Sequence, residues 1–572
     1  MKAVSHDLSK SLIARAKKAI QGMNARGFLG FFSGRPAMRK GKLLVFTAVF
    51  WLAASLGVGA LPAGAGQGEI GDIRISDGKG DWGFPNPFRH YPRGPGYIRM
   101  SWVFDTLVWK DKNGYVPALA KTWRFDPKTL SFTFNLQEKA LWHDGRPFTA
   151  QDVVFSLNYF QKHPYPWAPL PQVADARATG PHEVTVKLEK PFAPFFNSVA
   201  GTLPILPKHI WEKVTDPQRF DGPQAFVGSG PYLFKDFSKA KGTYLFEAFN
   251  GYYQGRPLAR RLIYLRAANP LMVLSTGQAD LAEIKPEMAP VLKGKGLAVM
   301  ENQRGWNKKL MINHKIAPFD DRRFRQALAH AMDQKEIIKK AHRGLGSPAS
   351  YGLLSKDHEW YNPDTPAYAP DPVRAGSLLE SLGYAKGASG FYAKDGRPLK
   401  VQIIASRITV AGEPQADRDG EVIKQQLERA GVAVELVNLE QATADARVKN
   451  WQFQLAVSGH GGILGDASVL ERMISPKYQG SVNSARYGKN PRLLELLSAQ
   501  DTQMDPARRK AMIYEIQKLY AQELPAISLY YPQSLAAYNP QKGVAWFYTK
   551  GGIGIGVPLP QNKMALLPAV GR

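Results

Sequence analysis

Two hydrophobic periods alternate along this chain. Ser131-Phe132-Thr133-Phe134-Asn135-Leu136 and Glu183-Val184-Thr185-Val186-Lys187-Leu188 put apolar side chains at every second position, the period of half-buried strands. Arg322 to Lys340 places Phe324, Leu328, Met332 and Ile337 near one face, which predicts a single amphipathic helix. Further helices are expected over Asp371–Ser381, Gly420–Ala430, Pro491–Ala499 and Pro506–Gln522. Strands are expected over Leu399–Ala405, Val432–Leu439, Phe453–Ser458 and Ile527–Tyr531. Gly431 between a helix and a strand is the stop signal of an α/β unit.

Polar residues mark the joints. Lys110-Asp111-Lys112-Asn113-Gly114 reads as a hairpin turn after a helix end and strand at Val103–Trp109. Thr149-Ala150-Gln151-Asp152 has the spacing of a capping box ahead of Val153, Val154, Leu157 and Phe160. In the same stretch His143 and Asp144 are adjacent on an extended segment. Their side chains then point to opposite faces, so they do not form an acid/base pair.

An uncharged apolar run, Leu43–Leu61, follows the basic segment Arg39-Lys40-Gly41-Lys42 and precedes Pro62, Ala63 and Ala65. That layout predicts a secretory signal peptide, with an uncleaved anchor as the alternative, so residues 1–65 are set apart from the fold. The chain has no cysteine. Disulfides, thiolate chemistry and a lipid anchor on cysteine are therefore excluded. The net charge of +27 raises nucleic acid as a partner, but the basic residues are spread and no nucleic-acid motif accompanies them, so none is expected. The eleven histidines show no metal-ligand spacing, and no metal or other cofactor is expected.

Two glycine-rich stretches look chemical and are not. Val227-Gly228-Ser229-Gly230-Pro231-Tyr232 lacks nucleophile-elbow spacing and reads as a tight crossing between domains. Gly551–Gly556 has no strand–helix unit around it to make a dinucleotide site. By contrast Ser458-Gly459-His460-Gly461-Gly462 follows an apolar strand directly, and a glycine-rich loop at a strand end suits a ligand. Aromatics in the loop-like stretch Gly80–Phe88 can line a cleft as well. No acid/base constellation appears, so the chain is not expected to be an enzyme; a hydrolase using scattered carboxylates is the remote alternative.

Ordered motifs carry a family resemblance. Ala118–Phe160, with Trp123, the Trp142-His143-Asp144-Gly145 turn and Thr149–Val153, resembles the signature region of the peptide/nickel-type (family 5) extracellular solute-binding proteins of ABC importers. Gly228–Tyr232 is similar to their GTGPY, and Asn250–Gly255 and Gly277–Leu281 match further motifs. Phe319–Leu328 and Ala367–Tyr384 match others in the same order.

The resemblance implies an α/β, two-lobed periplasmic binding protein (Venus-flytrap) fold of the large three-domain type, with mixed sheets and an extra α+β domain. Lobe I would comprise residues 66–110, 232–308 and 521–572, with the accessory domain at 111–231 and lobe II at 309–520. The crossings would fall near Gln303–Asn307 and after Gln522. It further implies a periplasmic monomer that captures a small-molecule ligand by hinge closure and delivers it to ABC permease and ATPase subunits in the inner membrane.

Peptide-binding members carry an amine-pairing aspartate after the strand corresponding to Phe453–Ser458. By spacing Ile463 takes that place, and Asp466 matches a later aspartate. An oligopeptide is the first expectation and an oligosaccharide or other polar organic solute the alternative. The candidate ligand residues are Ser458, Gly459, His460, Gly461 and Asp466 from lobe II. Trp82, Phe84, Asn302, Arg304 and Trp306 join them from lobe I and the crossing.

Overall fold

The computed structural model describes residues 70–568 apart from 166, 168, 169, 171, 172, 407, 411, 412, 416, 480 and 481. The expected signal segment lies outside the described residues. No helix among them is long and apolar enough to cross a membrane.

Two mixed sheets organise the lobes. The first runs Ala298–Glu301, Leu535–Tyr538, Leu281–Ile284, Ile70–Asp77, Ala259–Arg266, Thr243–Ala248, Tyr232–Ser238. Ile70–Asp77 is parallel to both of its neighbours, and the outer pairs are antiparallel. The second runs Gly346–Pro348, Ala526–Pro532, Trp306–Ile312, Leu455–Gly461, Lys400–Ser406, Ala433–Leu439. Its last three strands are parallel, an arrangement that requires helical crossovers. Arg418–Arg429 supplies one between Lys400–Ser406 and Ala433–Leu439, with Val422, Ile423 and Leu427 buried.

Sheet membership moves one crossing. The chain leaves the first sheet after Glu301 and enters the second at Trp306. The return was expected after Gln522, yet Ala526–Pro532 still pairs with Trp306–Ile312. The chain re-enters the first sheet only at Leu535. A central strand buried on both faces, as Ala526–Pro532 is, cannot be told from sequence as belonging to either lobe.

The accessory domain is a four-stranded antiparallel sheet, Ala120–Asp126, Ser131–Leu136, Glu183–Leu188, Val173–Gly180, covered by helix Ala150–Lys162. The capping box forms: the Thr149 amide donates to Asp152 Oδ2 at 2.8 Å, and the Thr149 side chain accepts from the Asp152 backbone. Asp152 Oδ1 also accepts from the Lys208 amide at 2.9 Å, tying the helix start to the next segment. His143 Nε2 meets the Gly230 carbonyl at 2.9 Å, while Asp144 pairs with His209 at 2.7 Å. The neighbours thus serve two different contacts, and both are scaffold. Gly230 donates its amide to the Val103 carbonyl at 2.8 Å, and a side chain at 228 or 230 would collide with that helix end.

Two local expectations are corrected. Arg322–Lys340 is two helices, Arg322–His330 and Gln334–His342, because Asp333 caps the second by accepting from Lys335 and Glu336 amides at 2.8 and 3.2 Å. Ser458–Gly461 is the end of strand Leu455–Gly461, paired with Trp306–Lys309; the loop begins only at Gly462.

Candidate ligand cleft between the lobes

Three segments bring the lobes together. The Ala193 amide of the accessory domain donates to the Asp501 carbonyl at 2.7 Å. The Gly551 amide donates to Gln303 Oε1 of the crossing at 2.9 Å, and Asn302 Nδ2 to the Pro558 carbonyl at 2.8 Å. Gly556, at φ +97°, lies against the Gly465 backbone so closely that a Cβ on either would collide. Gly551–Gly556 therefore works as a backbone contact between lobes.

Two cavities, about 340 and 520 Å³, lie in this junction and share Asn197 and Asp466 as walls. The first-lobe wall starts at Lys110, the last residue of Val108–Lys110, held up by the expected hairpin turn: Asp111 Oδ1 accepts from the Asn113 and Gly114 amides at 2.7 and 3.1 Å. Lys110 Nζ donates to Asn197 Oδ1 at 2.9 Å and lies 4.8 Å from the Tyr115 ring centre, while the Tyr115 hydroxyl reaches the same oxygen at 3.0 Å. Lys110 forms no ion pair with a described residue. Loss of hydration pulls its ammonium down to about 8, against the opposing pull of Asp466 and Glu359.

The second-lobe wall is mostly self-neutralised. Arg509 grips Asp466 through two nitrogens at 2.8 and 2.5 Å, and the Ser468 amide adds a bond at 2.8 Å. These contacts hold the Asp466 carboxyl low despite its burial. Asp501 is pushed up to about 7, first by burial and then by the Asp466 and Glu471 charges nearby. Glu359 lines the same cavity without a hydrogen bond or ion pair to a described residue. Asp501 also pairs with Arg509, at 3.4 Å, so the junction offers the Lys110 ammonium from one lobe and the Glu359 carboxyl from the other.

The sequence-predicted residues divide. Asp466 lines both cavities and Gly461 the larger. Trp306 is half exposed and lies flat on the strand, its indole filling the space that Cβ atoms at Gly459 and Gly461 would need. Ser458, Gly459 and His460 belong to the strand ladder and do not line the two cavities. Arg304 is a correction: its guanidinium and backbone amide grip Asp357 at 2.7–2.9 Å, and Nε reaches Ser347 at 2.8 Å, so it braces the crossing. Asn302 likewise braces through Pro558. Phe84 is also corrected, because it packs against Phe226, Phe237 and the Arg89 guanidinium. Trp82 lines a separate recess in the first lobe. Ile463, expected by spacing to take the place of an amine-pairing aspartate, is fully buried in a cluster with Leu353, Leu470 and Ile474. Lys110, Tyr115, Asn197, Glu359, Asp501 and Arg509 were missed; a lysine in a turn signal gives no hint that it faces another lobe.

The model of the bacterial extracellular solute-binding proteins, family 5 (middle region) matches residues 114–480. The dipeptide-binding protein of Escherichia coli strain K12 is 26% identical over 382 residues, 61% of this chain and 68% of that one. Heme-binding protein A of Haemophilus influenzae is 26% identical over 479 residues, 77% and 83% of the two chains. In fold, the chain is similar to the ABC transporter substrate-binding protein CtaP of Listeria monocytogenes, with a TM-score of 0.71 at 22% identity, covering 83% of this chain and 96% of that one.

Proposed function

The chain belongs to the bacterial extracellular solute-binding proteins of family 5, and from that premise we propose that it captures a short peptide between its lobes and delivers it to the permease and ATPase subunits of an ABC importer. The observation that carries this reading is the charge arrangement across the junction, where Lys110 and the unpaired Glu359 line one cavity from opposite lobes. A zwitterion meets both: its carboxylate takes the Lys110 ammonium, and its amine takes the carboxyl of the other lobe. A ligand that touches both lobes stabilises the closed form by its differential affinity for that form, which is what a permease can read. No bond is made or broken. Asp466, already held by Arg509, is the counter-charge of the scaffold, Asp501 shares the same guanidinium at 3.4 Å, and the amine is left to Glu359.

The cavity favours peptide over oligosaccharide. Its rings are already occupied by cations: Arg509 lies 4.9 Å from Trp360, and Lys110 lies 4.8 Å from Tyr115. Sugar stacking would have to displace them. In this reading the chain is exported by the Leu43–Leu61 signal segment and acts in the periplasm as a monomer.

Thermal-shift and calorimetric titration of the purified protein with peptides and with oligosaccharides tests the assignment. Binding to the folded state raises the melting temperature, so short peptides should raise it and sugars should not. An oligosaccharide shift with no response to any peptide overturns the peptide reading.

A further inference from the structure

The largest of the recesses described is a different one. About 700 Å³ opens at the carboxyl ends of Ile70–Asp77, Ala259–Arg266 and Leu281–Ile284. Open α/β sheets take ligands at that end of their parallel strands.

Its charges are unevenly matched. Asp77 is saturated: it accepts from Trp82 Nε1 at 2.7 Å, Arg99 at 2.8 Å, and the Lys79 and Gly80 amides at 2.8 and 3.0 Å. Glu283 lines the same recess, and its carboxyl makes no hydrogen bond or ion pair with any described residue. Lys285 also lines it, without pairing to Glu283. Glu283 is exposed on its strand, and where its carboxyl turns into the recess, loss of hydration and then the Asp77 charge push it up to about 7 against the pull of Arg99. A carboxylate so placed gains from a cation.

The aromatic wall already displays the fitting chemistry. Trp82 and Tyr91 sit edge to face, 5.9 Å apart, and the Lys79 ammonium lies 4.4 and 3.8 Å from their ring centres.

We propose that this recess binds an organic ammonium or guanidinium group, with Glu283 as its counter-charge and the Trp82 ring beside it. For a peptide ligand, which rests on the reading above, the group is a lysine or arginine side chain, and the recess makes the protein select basic peptides.

The test uses two probes on the whole protein, about one unit above the Glu283 value of about 7 so that the carboxylate is ionised. Cadaverine, an amine with no carboxylate, reports on the recess through the part of its binding that depends on Glu283. Alanyl-lysyl-alanine against alanyl-norleucyl-alanine reports selection at equal apolar length. Cadaverine should bind, and Glu283→Gln should weaken it about tenfold or more while Glu283→Asp keeps most of the affinity. The lysyl peptide should bind about tenfold tighter than the norleucyl one, and Glu283→Gln should remove that ratio without changing norleucyl affinity. Cadaverine binding that fails, or that ignores Glu283→Gln, overturns the proposal. If cadaverine binds through Glu283 while no peptide binds, the peptide reading falls and the recess stands. If both peptides bind equally in the wild type, the selection falls and the peptide reading stands.

Discussion

On the second-lobe wall of the junction Asp466 sits between two Arg509 nitrogens, and its charge is consumed within the lobe. On the facing wall Lys110 has only amide and phenol oxygen chemistry around it and no ion pair with a described residue. Both groups line the same cavity. Lining alone therefore does not identify a ligand contact; what matters is whether the lobe has already satisfied the charge. The same contrast separates Asp77 from Glu283 in the first-lobe recess.

Four experiments break or sharpen this contrast. Asp466→Ala leaves Arg509 buried beside Asp501 without its main partner. Removing one member of a buried pair costs about 3–5 kcal/mol, so urea unfolding should show a large drop in stability. An unchanged midpoint would mean that Asp466 is not a scaffold charge.

Lys110→Met should do the reverse. Peptide affinity should fall about tenfold or more, while the melting temperature holds or rises, because a dehydrated ammonium is removed. Loss of stability without loss of affinity would place Lys110 with Asp466.

The pH dependence carries its own sign. The folded value of Lys110, about 8, lies below its ordinary 10.5. Between these values the unfolded chain holds a proton that the folded one has released, so this lysine makes stability rise with pH across that window. Below it the unfavourable contribution is complete. The stability advantage of Lys110→Met should therefore shrink as pH climbs through the window. Affinity for a carboxylate ligand should fall over the same range as Lys110 loses its charge. Calorimetry across the window reads both, and a flat affinity would exclude Lys110 as the anion contact.

The smallest effect serves as a control far from the cavity. Thr149→Ala breaks the capping box and should cost about 1 kcal/mol, read by chemical denaturation, with peptide affinity unchanged.

Much of the fold was legible because it is local. Alternation in Ser131–Leu136, the capping spacing of Thr149 and Asp152, and the turn at Asp111–Gly114 each depend on neighbours within a few residues. Where a local signal was outvoted, the reason is visible. Asp333 interrupted a continuous apolar stripe by capping a new helix, and Ser458–Gly461 stayed in the ladder because its glycines make room for Trp306. The candidate site was legible only at Asp466 and Gly461. Arg304 carries the same charge as Lys110 in the sequence, and only Asp357, fifty-three positions later, separates a brace from a ligand contact.

By itself the sequence determined most of the elements, the family motifs and the absence of cysteine. The tertiary structure decided which charges meet. Lys110, Asn197, Glu359, Asp466 and Arg509 come from segments up to about 400 positions apart and share a cavity only because the chain crosses twice between two sheets. A charge becomes available to a ligand, or disappears into a pair, through partners that no local pattern records.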